Sequence, residues 1–179
     1  MRLADPFFWA SLVFLARLAC AADSPLLAGA LFPSVSGRTP NGKTLTLPAA
    51  ASGKPATIVA SFSRAGGNDA RAWNEHLTKD FPNAPFQLIE LESVPRLFRG
   101  TALSAIKSAM MPAMLDRTIV LYQDEKLWKA RMAVSDIERA YLYLLTLEGL
   151  VRWSNTGKFS ASEYAELKRE MQTLQQVHP

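Results

Sequence analysis

A strand that is apolar on both faces, followed by an amphipathic helix and a second strand, limits most strongly how this chain folds. Residues 55–62 read PATIVASF, as expected for a strand in a sheet that is covered on both sides. After the turn-rich segment 63–69, Asn68 or Asp69 is predicted to cap a helix, and residues 86–91 form the next strand. The apolar face of the helix comprises Ala70, Trp73, Leu77 and Phe81. This βαβ unit places the chain in the α/β class.

The flanking segments extend this unit on both sides. The predicted elements are a β-hairpin over 32–47, a helix over 101–110, a strand over 118–122, a short helix over 134–139, a hairpin over 140–153 and a helix that begins near Ser160. The last helix has an apolar stripe of Tyr164, Leu167, Met171 and Leu174. We therefore expect a central mixed sheet flanked by helices, with an N-terminal β-hairpin and a helical insertion.

The first 21 residues have the layout of a secretory signal peptide. An apolar run over 6–16 follows a basic start and precedes a small-x-small triplet at 19–21. We expect a secreted or periplasmic protein in which 22–31 form a lead-in and 32–176 form one domain. Cleavage and retention of the segment as a membrane anchor both agree with the pattern.

The counts of cysteine and histidine restrict the chemistry. The single cysteine, Cys20, lies in the predicted signal, so a dithiol mechanism is excluded and cleavage would leave no thiolate nucleophile or ligand. The two histidines are His76 and His178, and no catalytic triad is recognisable. We expect no metal site and no cofactor, and a binding protein fits the sequence better than an enzyme does.

The formal net charge is +4, and the basic residues of the middle of the chain are spread between positions 96 and 131. Nucleic acid binding requires a clustered basic patch with stacking aromatic side chains, so nucleic acid is not expected as a partner. The spread agrees with weak attraction to an anionic membrane surface and also with an ordinary solvated face.

One candidate binding site follows the first central strand. Arg64 lies at the carboxyl edge of that strand, where open α/β sheets place their sites, and the next helix begins nearby. Because free N–H groups at a helix N-terminus favour anions, Arg64 with Gly66, Gly67 and Asn68 would bind a carboxylate or phosphate. The alternative is a solvated arginine on a polar turn.

A second candidate surface lies in the middle of the chain. Met110, Met111 and Met114 surround Pro112, and flexible thioether side chains suit a surface that receives apolar segments. Trp128 lies between two lysines and is a candidate exposed anchor. The alternative for the methionines is an irregular patch of the core.

The chain resembles the thioredoxin-like superfamily in three features. These are the order of its elements, Lys54-Pro55 before the buried strand, and the late segment LEGLVRW at 147–153. Where redox members keep their cysteines, residues 65–68 read AGGN, and residues 137–139 lack the proline that normally precedes the third core strand. The resemblance therefore implies a redox-inactive member of the superfamily.

A narrower resemblance, over 32–175, is to the mitochondrial ATP synthase assembly factor family. The residues that carry it are Phe62, Arg64, Trp73, Arg152, Trp153 and Gly157. It implies a non-catalytic binding or assembly module that acts on a membrane or envelope protein complex, with ATP synthase assembly as one case. The alternatives are a periplasmic small-anion-binding protein and a peroxiredoxin- or TlpA-like redox relative that has lost its cysteines.

Overall fold

The computed structural model describes residues 26–51 and 53–177, so the predicted signal peptide over 1–21 lies outside the described residues. Seven strands form one sheet: β1 (Val35–Arg38), β2 (Thr44–Leu47), β3 (Ala56–Ser61), β4 (Pro85–Glu90), β5 (Thr118–Leu121), β6 (Tyr141–Leu145) and β7 (Val151–Thr156). The helices are α1 (Arg64–Asp80), α2 (Arg99–Ala109), α3 (Glu125–Arg131) and α4 (Ala161–Val177).

The strand order across the sheet is β2-β1-β5-β4-β3-β6-β7. Strands β3, β4 and β5 run parallel to one another, and the other neighbouring pairs are antiparallel. Strand β3 lies between β4 and β6, and all six of its residues are buried. The expected mixed sheet, both hairpins and the helical insertion are therefore confirmed.

Two apolar cores cover the two faces of the sheet. On one face, α1 and α4 pack against Val59, Leu142 and Leu144. On the other face, the core is made by side chains of opposite orientation in the same strands, among them Ile58, Leu88 and Tyr143. Because side chains alternate along a strand, a sheet with two covered faces needs the continuous apolar sequence of β3.

The residues that carried the narrower resemblance are mostly structural in this fold. The Trp73 indole N–H donates to the Gly157 carbonyl at 3.0 Å, and the Trp153 ring lies 6.3 Å from the Trp73 ring. Arg152 donates to a Glu170 carboxylate oxygen at 2.6 Å. These contacts hold α1 and α4 against β7. The exposed Arg64 takes no part in them.

The start of α1 differs from the expected one, because residues 64–69 are helical rather than a loop. Ser63 caps the helix in place of Asn68 or Asp69, and its Oγ accepts from the Gly66 N–H at 3.1 Å. Gly66 is buried within the first turn, where a Cβ would lie only 2.7 Å from the carbonyl oxygen of Arg139. The glycine therefore permits a close backbone approach rather than a turn.

A second difference from the predicted elements lies in the middle of the chain, between β5 and β6. The predicted helix over 134–139 is wrong, since the Ser135 and Asp136 N–H groups donate to the Tyr141 hydroxyl, each at 2.8 Å. The helical turns lie earlier, in α3, where an ion pair of 2.6 Å joins Lys129 to Glu125. The polar sequence of α3 has no apolar stripe that would have indicated a helix.

Residues 26–31 are hydrogen-bonded to the sheet. The Gly29 N–H donates to the Val151 carbonyl at 2.7 Å, and the Val151 N–H donates to the Ala30 carbonyl at 2.8 Å. Within the described ranges, no helix is long and apolar enough to cross a membrane.

Candidate binding cleft

A cleft of about 800 Å³ lies between α1, α2 and the face of β4 that α1 covers. It is open because α2 buries none of its residues. The side chains that α2 presents to the cleft are mostly small, namely Ala102, Ala105, Ile106 and Ala109. Alanine side chains are too short to fill the space between a displaced helix and a sheet, so the space stays open.

The floor of the cleft contains two buried amide side chains. Gln87 comes from β4 and is 9% exposed, and Asn74 comes from α1 and is 5% exposed. Among the described residues, the Asn74 Oδ1 is buried and accepts no hydrogen bond. Since buried polar atoms are normally paired, the Asn74 oxygen is an unsatisfied acceptor in a residue that lines the cleft.

The mouth of the cleft is lined by polar residues of α1. Arg64, Asn68, Arg71 and Glu75 are exposed and follow one another at helical spacings of three and four. No side chain among the described residues forms an ion pair with either arginine. The mouth therefore carries two available cations and one anion.

Methionines form the apolar wall opposite α1. Met110 follows α2, and Pro112 starts a short turn that carries Met114 into a buried position. The Thr118 hydroxyl donates to the Met110 sulfur at 3.3 Å, while Met111 is exposed at the cleft edge. Unbranched thioether side chains can adjust to differently shaped apolar groups.

Glu90, at the end of β4, is a buried acid of the cleft lining. Burial raises the pKa of its carboxyl, although the Ser93 N–H and hydroxyl both donate to it, at 2.9 and 3.1 Å. Carboxylate oxygens of Glu92 and Glu125 lie within 4.8 Å of it and of each other. The Glu92 carboxylate accepts from the Glu125 N–H at 2.6 Å, so local bonds account for the cluster.

Most of the site residues suggested by the sequence meet at this one cleft. Its lining includes Arg64, Gly67, Asn68, Met110, Met111 and Met114. The two candidate surfaces, separate along the sequence, are thus opposite walls of a single cleft.

Two of the suggested residues do not line the cleft. Gly66 is buried against the carbonyl oxygens of Ile137 and Arg139, so an anion placed at Gly66 would meet those oxygens. Trp128 packs against the core on the opposite face of the sheet, and the Arg131 guanidinium lies 5.3 Å from its ring centroid.

The sequence contains a signal for Asn74 and Gln87, although neither residue belongs to a motif. Asn74 directly follows Trp73 and lies on the inward face of α1, between Ala70 and Leu77. Gln87 interrupts the otherwise apolar start of β4. A polar side chain at an inward position of a buried element is the signal that would have identified both.

No family model matches this chain, and no curated protein matches it. Solved structures do match it, at low sequence identity. The thioredoxin domain of a thiol-disulfide oxidoreductase from Bacteroides vulgatus has a TM-score of 0.58 and 16% identity, over 80% of this chain and 97% of that one. A putative thiol:disulfide interchange protein DsbE from Chlorobium tepidum gives 0.59 and 12%, over 83% and 98%.

A third similar structure is BsSco, a member of the Sco family of cytochrome c oxidase assembly proteins, with a TM-score of 0.54 and 12% identity over 83% of this chain and 96% of that one. These likenesses confirm the thioredoxin-like fold. In this chain, residues 65–68 at the start of α1 contain no cysteine.

Proposed function

We propose that this chain is a thioredoxin-like binding module, with no thiol after residue 21, that holds a protein partner in the cleft between α1 and α2. The observation that carries the proposal is the buried, unpaired Oδ1 of Asn74 on the cleft floor. An unpaired buried oxygen costs about 1–3 kcal/mol of folding stability. A ligand that donates to it would remove this cost in the bound state.

The partner we propose belongs to a membrane or envelope complex, and the module assists its assembly without covalent exchange. BsSco, which is similar in fold, is described as a member of a family of assembly proteins. Another similar structure is described as a pneumococcal exposed lipoprotein thioredoxin, which agrees with a location outside the cytoplasm. ATP synthase remains the narrower proposal, resting on the sequence resemblance alone.

Affinity capture from gently solubilised host membranes tests this function. The tagged chain is compared with Arg64→Glu, which reverses a charge at the cleft mouth, and with Arg169→Glu, which reverses an exposed charge on α4. We expect one integral-membrane complex to be enriched with the unchanged chain and with Arg169→Glu, and to be lost with Arg64→Glu. Equal recovery with both variants would contradict a role for the cleft.

A redox role is the second candidate, because several proteins of similar fold are thiol-disulfide oxidoreductases and one is peroxiredoxin-like. Such chemistry requires a low-pKa thiolate, and the only thiol of this chain is that of Cys20. Turnover of peroxide or of a disulfide by the purified chain, abolished by Cys20→Ser, would favour this candidate over the binding module.

A further inference from the structure

The chemistry of the cleft floor indicates what kind of group binds there. A primary amide carries one acceptor oxygen and N–H donors in one plane, and a peptide group presents the complementary N–H and C=O. The Asn74 Oδ1 needs an N–H or O–H donor. Together, Asn74 and Gln87 offer two such amides within one cleft, which matches a main chain that presents a peptide group at every residue.

The charged side chains of the cleft are placed in a way that disfavours the binding of a small anion on the floor. Arg64 and Arg71 are exposed at the mouth, whereas the floor offers neutral amides. Transferring an unpaired ion into such a place is costly. The one buried acid of the lining, Glu90, is already bonded by Ser93, so the floor is suited to neutral polar groups.

The walls and the size of the cleft are also suited to a peptide. A volume of about 800 Å³ lies within the range of about 300–1,000 Å³ that is typical of ligand pockets, and it is far larger than a single phosphate or carboxylate requires. Met110, Met111 and Met114 supply an apolar wall that adapts to different side chains. The two arginines at the mouth outnumber Glu75 and favour an acidic neighbour.

Resting on the function proposed above, we infer that the cleft binds an extended peptide segment. The main chain of the segment pairs with the Asn74 and Gln87 amides, one apolar side chain packs on the methionines, and an acidic residue lies near Arg64 and Arg71. The segment is the part of the partner that the module recognises. Because the amides contact the main chain and the methionines adapt, recognition tolerates many apolar side chains.

A degenerate library of eight-residue peptides, presented to the full chain in mild detergent, tests the inference. We expect selected peptides to share an apolar residue next to an acidic one. Asn74→Leu, which is similar in size but lacks the amide, should weaken their binding at least about tenfold, the equivalent of one lost hydrogen bond. Thr57→Val is the matched control, because it removes another buried, unpaired oxygen outside the cleft and should leave binding unchanged.

Three results would overturn the inference: no peptide is selected, the selected peptides bind Asn74→Leu and the unchanged chain equally, or inorganic phosphate or acetate at low millimolar concentration displaces them. If membrane capture still depends on Arg64 in any of these cases, the proposed binding function stands and only the peptide inference fails. If capture also fails to depend on Arg64, both are wrong.

Discussion

The α carbon of Gly66 faces the backbone of Arg139 so closely that a β carbon at residue 66 would lie 2.7 Å from the Arg139 carbonyl oxygen and 3.0 Å from that of Ile137. This contact joins the first turn of α1 to the segment that leads into β6. The neighbouring Gly67 has open space around it, although both glycines belong to the same helical turn. The pair therefore provides a matched test of the contact.

Gly66→Ala should lower the free energy of unfolding by about 1–3 kcal/mol, because a methyl group in a filled place forces the backbone apart. Gly67→Ala should be neutral or stabilising by up to about 1 kcal/mol, because alanine favours helix more than glycine does. Urea denaturation of both variants measures the difference. Equal effects of the two substitutions would show that the Arg139 contact does not restrict residue 66.

Asn74→Leu should raise the free energy of unfolding by about 1–3 kcal/mol while it weakens ligand binding. The substitution removes a buried oxygen that has no partner and therefore also removes its desolvation cost. Thermal denaturation in the absence of ligand measures this gain. A less stable Asn74→Leu would indicate that the amide contributes to folding and would contradict a ligand site at Asn74.

The sheet could be predicted well from the sequence, because the spacing of apolar residues along a strand or helix indicates which of its faces are buried. Strand β3 is apolar at successive positions and is indeed covered on both faces, and the spacing of Ala70, Trp73 and Leu77 gave the buried face of α1. Ser63 caps α1, and the glycine at position 66 is explained by the distant carbonyl of Arg139, which no local pattern reports. Gly66 and Gly67 therefore predict a turn from the sequence, whereas in the structure both lie in the first turn of α1.

The candidate site was only partly predictable for a similar reason. The sequence singled out Arg64 and Met114 separately, but the cleft that joins them depends on how far α2 stands from the sheet. That distance follows from packing, and the sequence of α2 shows only an ordinary helix. Asn74 could have been predicted from the sequence, because a polar residue beside Trp73 on the inward face interrupts the apolar stripe of α1.

Glu90→Gln should reduce the pH dependence of stability. Burial raises the pKa of Glu90 above its ordinary value of 4.5, so folding favours the protonated carboxyl. Its contribution to stability is fully present below pH 4.5 and is lost as the pH rises through the raised pKa. We expect the difference in urea midpoint between Glu90→Gln and the unchanged chain to increase as the pH rises from about 4 to about 7, the range in which carboxyl groups ionise.

Asp80→Asn is the matched control with the opposite sign. Hydrogen bonds from Lys168 and Tyr164 hold the pKa of Asp80 below its ordinary value of 3.8. Its contribution is therefore present above pH 3.8 and is lost as the pH falls through the lowered pKa. Asp80→Asn should then be less stable than the unchanged chain at neutral pH and approach it in acid. The same trend for both substitutions would contradict the burial of Glu90.

We expect the turn before α2 to be a contact with an anionic membrane surface. Leu97 is 84% exposed and Phe98 is 58% exposed, between Arg96 and Arg99. The Arg99 guanidinium donates to the Val94 and Glu92 carbonyls at 2.9 and 3.0 Å, which fixes the turn with its apolar side chains outward. Exposed apolar side chains next to cations suit an anionic lipid surface.

Replacing Leu97 and Phe98 together by serine should reduce binding to anionic vesicles at least about tenfold, because fully burying one such side chain contributes about 1.5–3 kcal/mol and about 1.4 kcal/mol is a factor of ten. Sedimentation with vesicles of phosphatidylserine and phosphatidylcholine measures this, using the chain from residue 22 onward so that the apolar run over 6–16 does not contribute. Replacing Leu127 and Ile137 by serine, two partly exposed apolar residues elsewhere on the surface, should have little effect. If both pairs of substitutions reduce binding equally, or if neither does, the turn is not a membrane contact.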